Sequence, residues 1–201
     1  DVVDESSLRR GKPTANTQWS NQSCVLVGDF LYSRSFVMMV RIESMRIMEI
    51  LSKVTCTLAE GEVRQLANVR NPKITEAEYN QVIYAETAKL FEGATQSAAV
   101  LAGASVEIQE AMREYGAQLG IAFQLIDDLL DYQGDAATLG KNVGDDLAEG
   151  KTTLPLIYAM QQASEEEALL IRQAIRKEGL EKLDEVLAIV EKTGALSYTF
   201  A

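Results

Sequence analysis

The chain has 201 residues, 47% of them hydrophobic, a formal net charge of -11 and no histidine. One sizeable core is the expectation from that length, with a single domain spanning residues 1–201. The acidic balance argues against nucleic acid or anionic lipid as partners, since both need clustered Lys and Arg. The absence of His excludes Ser-His-Asp and Cys-His nucleophile systems and the usual His-containing zinc sites.

The opening run "DVVDESSLRRGKPTAN" sets Asp1 and Asp4 ahead of Arg9, Arg10 and Lys12. Acid beside base is explained by a metal and an anion held together, because guanidinium forks and an ammonium match phosphate oxygens. Residues 22–41, "QSCVLVGDFLYSRSFVMMVR", are apolar on nearly every side, which predicts a central helix buried by its neighbours. Its length of about 20 residues could mimic a membrane span. Asp29, Arg34 and Arg41 favour burial in a bundle instead, so no integral membrane segment is expected. Cys24 and Cys56 have no CxxC spacing and read as reduced, partly buried thiols. No signal-peptide pattern opens the chain, and the two observations together imply a cytoplasmic protein.

Pro72 breaks the chain, and Thr75 and Glu78 have capping-box spacing, so a helix is predicted from Glu76 to a stop at Gly103. Residues 106–132 lack Pro and keep a helical apolar rhythm, which predicts one helix about 40 Å long at 1.5 Å per residue. The polar, Gly-rich stretch "QGDAATLGKNVGDDLAEGKTT", residues 133–153, reads as a functional loop. Ser164 and Glu167 repeat the capping signature before a helix that Gly179 stops, and "LEKLDEVLAIVEKTG" predicts another ending near Gly194. The fold class is therefore all-α.

The stretch "FQLIDDLLDY" places Asp127, Asp128 and Asp131 in an apolar helical run. Asp127 and Asp131 fall on one face, one turn apart, with Asp128 beside them. Like charges near 4 Å apart repel by about 1 kcal/mol in water and about 4 at an effective dielectric of 20, so such a cluster asks for cations. Magnesium suits it: an oxygen-seeking ion that binds through one or two carboxylates plus substrate phosphates. The adjoining loop repeats the theme with Lys141, Asp145, Asp146 and Lys151.

Taken in order, "DVVDESSLRRGKPTAN", "VLVGDFLYSRSF", "AEGEVRQL", "TAKLFEGA", "GIAFQLIDDLLDY" and "GKNVGDDLAEGKTTLPL" resemble the trans-type polyprenyl diphosphate synthases, most closely the bacterial octaprenyl members. The resemblance covers nearly the whole chain. It implies an isoprenoid-synthase-type helical bundle around a central cavity, in which aspartate motifs on two facing helices bind magnesium that grips an allylic diphosphate. It also implies a reaction: an allylic cation develops, the double bond of isopentenyl diphosphate attacks it, and a proton is lost. By resemblance Asp1, Asp4 and Asp127, and less directly Asp128 and Asp131, organise the metals. Arg9, Lys141 and Lys151 would bind the allylic diphosphate and Arg10 the isopentenyl diphosphate. Thr87 and Gln124 would face the reacting end, Phe123 would line the cavity, and Asp146 would hold a metal-bound water. The family commonly forms homodimers.

Four departures accompany the match. The first motif begins at its second aspartate, the upstream helices carrying a Lys and an Arg for isopentenyl diphosphate are absent, and the family's last helices are missing, so a partial sequence is expected. Glu86 in "YAETAKLF" stands where the family usually has Lys, which weakens phosphate binding unless Lys89 or a metal compensates. Two other readings stay open. One is a non-catalytic, diphosphate-binding subunit of a synthase; the other is a terpene-cyclase-like magnesium-diphosphate enzyme, against which the Arg9, Arg10 pair argues by suiting a second diphosphate substrate.

Overall fold

A computed structural model describes residue 2, residues 8 and 9, and residues 11–133 and 143–201, the side chains of 8, 9 and 178 excepted. Apart from a two-stranded antiparallel ribbon, β1 (Leu8–Arg9) with β2 (Lys12–Pro13), the regular structure is helical. The helices are α1 (Ala15–Gln18), α2 (Asn21–Val40), α3 (Met45–Asn68), α4 (Glu76–Ile83), α5 (Lys89–Leu101), α6 (Val106–Gln133), α7 (Asp145–Glu149), α8 (Leu154–Gln162), α9 (Glu165–Gln173), α10 (Leu183–Lys192) and α11 (Ala195–Phe200). This is the expected all-α class.

Local chemistry sets the boundaries. Thr75 and Glu78 form the predicted capping box at the start of α4, and Ser164 and Glu167 form the second at α9, each satisfying two otherwise orphaned N–H donors. The predicted helix from Glu76 is continuous to α5, but it carries a π-helical turn, Tyr84–Ala88, between α4 and α5. Gly103, at φ +67°, ends it as expected, and Gly194, at φ +73°, ends α10. The predicted helix over 106–132 is α6.

α5 and α6 pack along their length, and glycine makes the approach possible. A Cβ at Gly116 would lie 2.1 Å from Thr95 Oγ1 and 2.6 Å from the Phe91 carbonyl, and one at Gly120 would lie 2.4 Å from Ala88 Cα. On the other side of α5, a Cβ at Gly93 would meet Val54 of α3 at 2.4 Å. A C-terminal core gathers Tyr132, Leu147, Leu156, Ile171, Ile175 and Val186, and a second cluster joins Ile74, Tyr79 and Ile83 to Leu154 and Ile157.

The segment 22–41 departs from expectation. It forms α2, but only Met39 is buried; Leu26 is 67% and Phe30 66% exposed. A helix apolar on all sides needs cover on all sides, and α1 and α3 touch only a small part of it. Among the described residues α2 is the one helix that has the length and composition to cross a membrane. Cys56 is exposed rather than partly buried, Cys24 is partly buried, and neither is in a disulfide.

The contact at Gly120 is with backbone, so it cannot relax by a rotamer change. Gly120→Ala should lower unfolding stability by about 1–3 kcal/mol, the usual cost of overpacking, read from the denaturant midpoint.

Candidate active site

The three aspartates of α6 have three different surroundings. Asp127 is partly exposed. Asp128 is only 3% exposed; its Oδ2 accepts the Tyr79 hydroxyl at 2.6 Å and its Oδ1 accepts the Gln124 amide at 2.7 Å. Asp131 is 0% exposed, and its Oδ2 accepts the backbone N–H of Asp146 at 3.1 Å while its carbonyl accepts that of Gly144 at 3.0 Å. The Asp131 carboxylate thus caps the first turn of α7 from the end of α6, satisfying a helix N-terminus as an anion should.

That capture shapes the segment after it. The Lys151 N–H donates to the Asp146 carbonyl at 2.8 Å, and the Lys151 ammonium pairs with Glu149 at 2.6 Å. Gly150, at φ +78°, accepts the Arg70 N–H at 2.8 Å, and Thr152 Oγ1 donates to the Asn71 carbonyl at 3.1 Å. The turn between α3 and α4 therefore clamps the loop that carries Lys151.

The π-helical turn supplies the facing wall. Thr87 Oγ1 donates to Gln124 Oε1 at 2.8 Å, and the Phe91 and Phe123 rings lie 5.6 Å apart between centroids. One extra residue in a helical turn rotates the side chains beyond it, and such turns recur at functional positions. Beneath Thr87, Glu92 is 4% exposed and gathers three partners: the Tyr84 hydroxyl at 2.5 Å, the Lys89 ammonium at 2.5 Å and Arg113 at 3.6 Å. Burial and then the bond to Glu92 push the Tyr84 phenol above its ordinary range, so it stays a donor. Burial alone would lower Lys89; the Glu92 hydrogen bond and charge outweigh it and hold the ammonium above its ordinary value. Lys89 is thus committed to Glu92.

Of the residues expected to act, Thr87, Phe123, Gln124, Asp127, Asp128, Asp131, Asp146 and Lys151 are described; Thr87, Gln124 and Asp128 are joined directly, and the Asp146 backbone is joined to Asp131. Asp1, Asp4, Arg10 and Lys141 lie outside the described residues, as does the side chain of Arg9. Among the described residues no group of three or more His, Cys, Asp or Glu side chains could hold a metal. The oxygen-only donors at Asp127 and its expected partners Asp1 and Asp4 fit magnesium by ligand chemistry. Sequence reasoning missed Tyr79 and the Glu92 cluster. Tyr79 is 49 residues from Asp128, and no local spacing announces that contact.

Known proteins resemble this chain along nearly its whole length. The polyprenyl synthetase family profile matches residues 1–193. The octaprenyl diphosphate synthase of Haemophilus influenzae is 52% identical over 199 residues, covering 98% of this chain and 60% of that protein. The all-trans-nonaprenyl-diphosphate synthase (geranyl-diphosphate specific) of Rhodobacter capsulatus is 53% identical over 198 residues, 98% of this chain and 61% of that one. A polyprenyl synthase from Caulobacter crescentus, solved with calcium and isoprenyl diphosphate, superposes with a TM-score of 0.94 at 45% identity, over 99% of this chain and 61% of that one. The heptaprenyl diphosphate synthase of Staphylococcus aureus superposes at 0.92 with 29% identity, over 99% and 62%. The fold is that of the all-α isoprenoid synthases. The chain belongs to the polyprenyl synthetase family, and it spans about three fifths of the length of these relatives.

Removing the carboxylate of a buried ion pair leaves its ammonium uncompensated. Glu92→Gln should cost about 3 kcal/mol of stability in urea unfolding, because Lys89 then loses its carboxylate partner in a largely buried place, while Arg113 keeps Glu110 and Glu114.

Proposed function

We propose that this chain is the metal- and diphosphate-handling part of a prenyltransferase. Its reaction would be head-to-tail condensation of an allylic prenyl diphosphate with isopentenyl diphosphate, giving a long-chain polyprenyl diphosphate of the kind used for quinone side chains. The observation that carries this reading is the Thr87–Gln124 pair, which joins the π-helical turn to α6 one turn before the partly exposed Asp127. Relatives named as octaprenyl and nonaprenyl synthases support it.

In this reading Asp127, with Asp1 and Asp4, holds magnesium, and Asp128 and Asp131 keep the end of α6 in shape. When bound, the metal supplies Lewis-acid stabilisation of the charge building on the departing diphosphate. Arg9, Lys141 and Lys151 bind that diphosphate as the allylic C–O bond breaks and the oxygen keeps the electron pair. Arg10 holds isopentenyl diphosphate, whose double bond forms the new C–C bond before a proton is lost. Phe123, resting on Phe91, offers the growing cation an apolar wall that excludes water. A second copy of the chain covers α2, whose apolar residues on every side then become an interface in a cytoplasmic homodimer.

Glu86 favours one rival, a subunit that binds prenyl diphosphate without elongating it, since it puts an anion where the family has a cation. Incubation with farnesyl and isopentenyl diphosphates and magnesium separates the two: longer products support the enzyme, and magnesium-dependent binding without product supports the subunit. Sedimentation of the same samples reads the dimer, and a monomer at micromolar concentration would overturn that part. A unit charge pair near 4 Å contributes about 1–4 kcal/mol from water to a partly buried site, so Glu86→Lys should tighten allylic diphosphate binding by about tenfold or more in a calorimetric titration with magnesium.

A further inference from the structure

Tyr79 sits in the apolar cluster of Ile83, Leu154 and Ile157, and it is 5% exposed. Its hydroxyl begins a chain of hydrogen bonds: to Asp128 Oδ2 at 2.6 Å, from Gln124 Nε2 to Asp128 Oδ1 at 2.7 Å, and from Thr87 Oγ1 to Gln124 Oε1 at 2.8 Å. An ionised carboxylate only accepts, so Tyr79 donates to it, and the Gln124 atom facing it is the amide NH₂. The Gln124 carbonyl is then turned to Thr87, and a carbonyl also only accepts. Thr87 has one hydroxyl proton, and it goes to Gln124.

We propose that Tyr79 is a positioning residue for Thr87. By anchoring Asp128 Oδ2 it holds the carboxylate where Oδ1 meets the Gln124 amide and turns the Gln124 carbonyl to Thr87, so that the partly exposed Thr87 oxygen presents lone pairs, and no proton, to whatever lies against it. The geometry rests on the packed ring: Tyr79 belongs to the cluster that joins α4 to α8, so its hydroxyl cannot swing away from Asp128 without disturbing that core. The use made of it rests on the prenyltransferase reading. An oxygen that cannot donate suits a centre that becomes positively charged, and it cannot deliver a proton to a double bond.

The test is Tyr79→Phe, which keeps the ring and removes the donor. In NMR spectra of the full chain, the wild type should show a slowly exchanging Thr87 hydroxyl proton and a single set of Gln124 side-chain amide signals. Tyr79→Phe should speed that hydroxyl exchange by about tenfold or more and shift the amide pair, since one anchoring bond to a charged acceptor is lost. Unchanged exchange and unchanged amide shifts overturn the proposal, whether or not the protein elongates any substrate. A second measurement reads the consequence. With magnesium present, an allylic diphosphate analogue with an ammonium nitrogen in place of the reacting carbon should lose about tenfold in affinity on Tyr79→Phe, while an allylic thiolodiphosphate that lacks the ammonium charge binds as before. Equal loss for both analogues means a general structural role and overturns it. If neither analogue binds the wild type, the prenyltransferase reading fails, and the exchange measurement still decides the wiring.

Discussion

The backbones of α5 and α6 meet where Gly116 and Gly120 face Phe91, Glu92 and Ala88, and the chemistry of the chain is registered from that contact. With no side chain between them, the two helices cannot slide by a fraction of a turn without collision. Ala88, on which Gly120 rests, comes directly after Thr87, and Gln124 lies one turn beyond Gly120. The close approach is therefore what puts a threonine hydroxyl within 2.8 Å of a glutamine carbonyl on another helix. It also seals Glu92 beneath the pair, where Tyr84, Lys89 and Arg113 stabilise its charge.

Much of this was legible in the sequence. Capping boxes at Thr75 and Ser164 and the stops at Gly103 and Gly194 are local signals, set by side chains within a few residues of each other. The aspartates of α6 were visible as a conflict between acid and apolar pattern, although helical spacing alone made Asp127 and Asp131 equivalents. Their difference comes from what packs above them: α7 settles on Asp131, and α4 delivers Tyr79 to Asp128. Contacts between residues 49 apart leave no periodic trace, and neither does the π-helical turn between α4 and α5. The misreading of α2 has a plain reason as well. An apolar composition says that a surface wants cover, and it does not say whether the cover belongs to the same chain.

Burial separates the three acids of α6. Asp131, at 0% exposure, accepts a backbone N–H, Asp128, at 3%, is held by Tyr79 and Gln124, and Asp127 is partly exposed. The same helix end thus sets three acids in three surroundings within five residues, 127 to 131.

α2 carries a different lesson. An amphipathic helix knows how far to turn about its own axis, because one side must go inward. α2 is apolar around its whole circumference and has no such compass. Its rotation is dictated by whichever surface it meets, so two helices of this kind can settle against each other in several azimuths of similar energy, and shape rather than hydrophobicity must choose among them. Gly28 near its middle, with open space where a Cβ would stand, offers a notch by which that choice could be made.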